Sequence, residues 1–150
     1  AIGWRITEKE LQAYPHLKMA QGAADIGVII SFNSEGLAVQ SSLMVPAGVK
    51  SKSINPLTWR TDNNYASALH NKGACFTDYS ANIKKEQPYF CGAWLDAERG
   101  TLKINSKITP QAYPPVLDIF TAGVYHLYDY QFFYRNLQEN VALRTGAYWR

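Results

Sequence analysis

The longest apolar run in the chain is Ile26–Phe32, seven residues that suit a strand and fall well short of the ~18–20 apolar residues of a bilayer span. In an extended conformation Ile26, Val28, Ile30 and Phe32 share one side, and Asn33-Ser34-Glu35-Gly36 reads as a four-residue loop. Beyond it Leu37, Val39, Leu43 and Val45 share a face, with Gln40, Ser42 and Met44 opposite. Period-two alternation around a turn predicts a half-buried β-hairpin.

Other segments give shorter signals. Thr7-Glu8-Lys9-Glu10 has the spacing of a capping box and predicts a two-turn helix ended by Pro15. From Pro46 to Ala74 turn-forming residues dominate, with one helical turn expected at Tyr65–His70 and a return to the body at Leu57 and Trp59. A second hairpin is expected where Cys91, Ala93 and Leu95 alternate with Phe90, Gly92 and Trp94. Asp96-Ala97-Glu98-Arg99-Gly100 turns the chain there, and Thr101–Asn105 returns it. Pro110, Pro114 and Pro115 mark a stiff crossover.

Val124–Tyr134 is ambiguous. As a strand it aligns Val124, His126, Tyr128, Tyr130, Phe132 and Tyr134; as a helix it aligns Leu127, Tyr130, Tyr134, Leu137 and Val141. Aromatic enrichment favours the strand, and Val141–Trp149 reads as a last strand. These segments predict one domain over 1–150, mainly β, an antiparallel β-sandwich or barrel with a short N-terminal helix. The alternative is α+β with a C-terminal helix.

Hydrophobic residues make up 47% of the chain and charged residues 18%, a composition that folds rather than stays disordered. The net charge is +3. Residues 50–107 hold nine basic and five acidic side chains, a local net of +4. Dedicated nucleic-acid domains carry a denser Lys/Arg stripe, so no nucleic-acid partner is expected, and no membrane span.

Cys75 and Cys91 lie sixteen positions apart. They read either as two buried thiols, since Cys often serves as a small hydrophobe, or as a disulfide worth about 3 kcal/mol for a ring of this size. An even count, flanking aromatics and a start at Ala1 favour the disulfide. With it comes an extracellular, periplasmic or cell-envelope location. The start at Ala1 fits a processed mature chain and equally a trimmed one.

Catalytic signals are weak. His16, His70 and His126 form no two-histidine metal pair, and His126 and Asp129, three apart, meet only in a helix. Cys75 with His70 would need an exposed, acidified thiol. Asp96 and Glu98 are the carboxylates that a small hydrolase would use, yet they fall in a turn, where carboxylates usually cap local amides. No G-x-S-x-G, phosphate loop or C-x-x-C is present. No catalytic residue, metal or cofactor is therefore expected.

Ten Tyr, six Phe and four Trp remain. Trp59, Trp94, Tyr125, Tyr128 and Trp149 are the candidates for an exposed aromatic platform, because Tyr and Trp give large rigid contacts. The expected function is that of a non-enzymatic interaction domain, binding a protein partner or copies of itself in an extracellular or envelope assembly. A carbohydrate-binding module stacking glycan on Trp59 and Trp94 is the first alternative, and the small hydrolase the second.

Overall fold

The computed structural model describes residues 1–78, 80 and 82–150. In chain order it contains helix α1 (Glu8–Ala13) and strands β1 (Ser34–Glu35), β2 (Ala74–Thr77), β3 (Ile83–Gln87), β4 (Ala93–Leu95) and β5 (Leu102–Ile104). Helices α2 (Asp129–Phe132) and α3 (Tyr134–Tyr148) follow, and 3-10 turns stand at Ala68–His70 and His126–Tyr128.

The β4–β5 hairpin follows from its turn chemistry. Asp96 Oδ1 accepts from the amides of Glu98 and Arg99 at 2.9 and 2.7 Å. The Gly100 amide closes the turn on the Asp96 carbonyl. Gly100 has φ +67°, and a Cβ there would stand 1.8 Å from the Ser51 carbonyl oxygen, so only glycine fits. α1 likewise starts where Thr7 and Glu10 form their capping box.

β5 is central in a three-stranded sheet of order β1-β5-β4, parallel to β1 and antiparallel to β4. Single bridges extend this sheet at both edges, Glu35 with Val124 and Ala66 with Ala93. β2 and β3 form a separate antiparallel pair with a register shift at Phe76/Thr77. The core takes in residues of both sheets and of α2, among them Ala74, Leu95, Leu102, Ile104 and Phe132. There Phe132 packs against Phe90, Tyr113, Tyr125 and Tyr128 with ring centroids 4.9–5.6 Å apart.

The antiparallel sandwich or barrel does not form: the two sheets have three and two strands and do not close. Two local reversals cause this. The expected hairpin turn at 33–36 contains β1 itself, which pairs in parallel with β5, while Ile29 meets only Met19. Residues 36–45 are held by side-chain cations instead of a ladder (below). The expected strand at 124–134 is helical from His126 on, where the Asp129 carboxyl accepts the Ser34 amide at 2.9 Å and anchors α2 beneath β1, and the expected strand at 141–149 is the last part of α3.

The Cys75–Cys91 disulfide is likewise absent; both thiols are free and fully buried. Cys75 stands opposite Glu86 in the β2–β3 ladder, and Cys91 packs into the main core with the Asn71 amide nitrogen 3.8 Å from its Sγ. Each serves as a small apolar side chain. The inference of an extracellular or envelope location loses this premise.

Candidate functional site

Two regions concentrate chemistry that the fold alone does not use. The first is a polar seam beside the N-terminal strap, residues 1–4, which is tied to residues 31 and 32. Glu35, on β1, is 2% exposed. Its Oε1 accepts from Arg99 Nε at 2.9 Å and Thr101 Oγ1 at 2.6 Å and forms an ion pair with Lys103 Nζ at 2.8 Å, and its Oε2 accepts from Arg99 at 3.0 Å. The two cations exceed the one carboxylate. Backbone carbonyls absorb the excess: Arg99 also donates to Gln40 and Val45, and Lys103 to Val39 and Gly36. This network fixes residues 36–45, and satisfied buried charges of this kind are structural.

Next to it the satisfaction ends. His126 and Asp129 lie one helical step apart, with Nδ1 3.8 Å from Oδ2. Neither of these atoms has a hydrogen-bond partner, nor do Ser34 Oγ and Asn33 Oδ1. Burial raises the Asp129 carboxyl well above the usual carboxylate range, opposed in part by Ser34. Burial also lowers the His126 imidazole, with the Gly3 backbone opposing. Gly3 roofs the pair: it has φ +81°, and a Cβ there would approach His126 Cε1 to 2.6 Å and Asp129 Oδ2 to 3.2 Å. The Gly3 amide is tied to the Phe32 carbonyl, and Ser31 Oγ donates to the carbonyls of Ala1 and Trp4. The rings of Trp4 and Phe120 flank the imidazole.

The second region is the outer face of α3. This helix buries asparagines and exposes apolar side chains. Asn136 and Asn140 are its two buried residues. Asn136 donates to the His70 carbonyl and accepts the Lys72 amide; Asn140 donates to the Ala23 carbonyl. Arg144 clamps the same side through Asn140 and the carbonyls of Asp25 and Gly22, with its guanidinium 5.6 Å from the Trp59 ring centre. Meanwhile Val141 is 61% exposed, Leu143 45%, Tyr148 67% and Trp149 79%. A depression of about 220 Å³ lies on one flank, lined by Leu57, Trp59, Asn140 and Leu143 among others. Another of about 260 Å³ is lined by Ile26, Val28, Arg144 and Tyr148 among others.

The aromatic candidates therefore do not share one platform. Tyr125 is fully buried, and its hydroxyl donates to the Ile108 carbonyl. Tyr128 is half-buried against Phe132. Trp94 meets Tyr65 on the hairpin, 5.8 Å between rings. Only Trp59 and Trp149 lie along α3, at its flank and its end. Asp96 is engaged in its turn, and Glu98 is exposed beside it.

The thiols offer no nucleophile of the acidified kind: burial pushes Cys91 up to about 12 and raises Cys75 as well. Among the described residues no group of three or more His, Cys, Asp or Glu could hold a metal ion. Nor is any helix among them long and apolar enough to cross a membrane.

Asn33, Ser34 and Glu35 carry no site signal in the sequence, where they read as part of a four-residue hairpin loop. The three-residue spacing of His126 and Asp129 was the available signal, and the strand assignment set it aside. Leu143 and Arg144 were missed for the same reason, since a strand gives them no common flank with Trp59.

Comparison with protein-family models, curated proteins and solved structures found no match to this chain.

Proposed function

We propose that this chain is a protein-interaction domain that docks through the outer face of α3. One observation carries the reading: α3 is attached to the body by Asn136, Asn140 and Arg144, while Leu143 on one flank, Val141 and Tyr148 toward the other, and Trp149 just past its end all stay exposed. An amphipathic helix of an isolated domain does the reverse, turning its apolar stripe to the core. Trp59 and Tyr148, rigid aromatics beside shallow depressions on either flank, suit the anchors of such an interface.

The partner is a protein surface, and a second copy of this chain is the simplest one, because two-fold self-pairing is the commonest oligomeric arrangement. Light scattering across a concentration series tests this. The wild-type mass should rise toward twice that of the monomer, and Leu143→Glu with Tyr148→Glu should hold it at the monomer value. A wild-type chain that stays monomeric at the highest soluble concentration would remove self-pairing. An unchanged association in the double variant would remove α3 as the face.

A further inference from the structure

Four of the buried side-chain atoms without partners belong to residues that line one cavity. Asn33, Ser34, His126 and Asp129 all line a single cavity of about 10 Å³, closed by Glu35, Ser42, Met44 and Val124. Asn33 is 5% exposed, Ser34 2% and Asp129 1%. Orphaned polar atoms at such depth normally cost about 1–3 kcal/mol each. Four around one cavity therefore call for a shared partner.

We infer that the cavity is the binding site of one water molecule, which joins His126 Nδ1 to Asp129 Oδ2 and is completed by Ser34 Oγ and Asn33 Oδ1. The volume is that of about one probe sphere, and a buried water needs two to four polar partners. The inventory of groups also fits. Asn33 Oδ1 only accepts, Ser34 Oγ donates or accepts, and imidazole and carboxyl each take either role with protonation. Water, with two donors and two acceptors, satisfies such a mixed set.

A cation fits less well. The nearest carboxylate besides Asp129 is Glu35, and Arg99 and Lys103 already occupy it. A further positive charge would sit beside an existing local excess. The Gly3 roof gives the site a lid, since the strap crosses directly over His126 and Asp129. Bridged in this way, the two groups share one hydrogen-bonded path under the Gly3 backbone.

A crystal structure at atomic resolution, with a parallel soak in rubidium, tests the assignment. The expected result is one density peak within about 2.6–3.2 Å of at least three of the four atoms, without rubidium anomalous signal. A long-lived water should also give a cross-relaxation peak to the Ser34 amide proton in solution. Side chains re-paired directly with one another around an unfilled cavity would overturn the proposal. So would rubidium density at the site, or a Ser34 amide without contact to slowly exchanging water.

Discussion

Glu35 Oε1 stands 2.9 Å from Arg99 Nε and 2.8 Å from Lys103 Nζ, and all three side chains are nearly excluded from water. This carboxylate joins the parallel β1–β5 pair to the loop at 36–45. Removing it strands two cations in the interior. Glu35→Ala should therefore cost about 3–5 kcal/mol, read as a lowered urea midpoint. Replacing Glu35, Arg99 and Lys103 together by apolar residues of similar volume should cost less than the single change. Equal losses would show that the charges are not coupled.

Gly3 is the narrowest point of the strap. Gly3→Ala places a Cβ 2.6 Å from His126 Cε1 on a backbone of φ +81°. Displacement of the strap should cost about 1–3 kcal/mol. It should also hasten proteolytic cleavage near Trp4 and shift that tryptophan's emission. A Gly3→Ala protein with wild-type stability and cleavage would contradict the close packing of strap and imidazole.

Asp129 and His126 give stability opposite pH slopes. Asp129 keeps its proton in the fold, so its contribution is complete below the ordinary carboxyl value of 3.8 and is lost as pH rises through the higher folded value. His126 stays neutral in the fold, so its contribution is complete above 6.5 and is lost as pH falls through the lower folded value. Asp129→Asn should flatten the decline on the alkaline side, and His126→Asn the decline on the acid side. Urea midpoints from about pH 4 to about pH 8 provide the comparison. Variant curves parallel to wild type would contradict both assignments.

Both cysteines should resist a thiol reagent in the native protein and react together after unfolding, because each is fully buried. Cys91, pushed up to about 12, should be the slower if the fold opens locally. Intact mass should be unchanged by reductant. A two-dalton gain on reduction would restore the disulfide.

What was legible in the sequence was what neighbouring residues decide. Thr7 and Glu10 cap each other, and Asp96 and Gly100 close their own turn. What was hidden depends on distant partners. Ser34 and Glu35 look like a hairpin loop until Leu102, Lys103 and Arg99 arrive from far downstream and make them a buried strand. His126 and Asp129 look like alternating strand positions until the Ser34 amide binds the carboxylate and selects the helix. On α3 the usual guide is weak, because Asn136, Asn140 and Arg144 point inward beside Leu137 while Val141, Leu143 and Tyr148 stay exposed.

Hydrogen exchange on α3 at several protein concentrations probes the outward face most directly. Amides across 141–148 should gain protection as concentration rises, while those of β4 and β5 stay constant. Protection of that segment that does not change with concentration would show the face left uncovered by a second copy, and the self-pairing reading would fall.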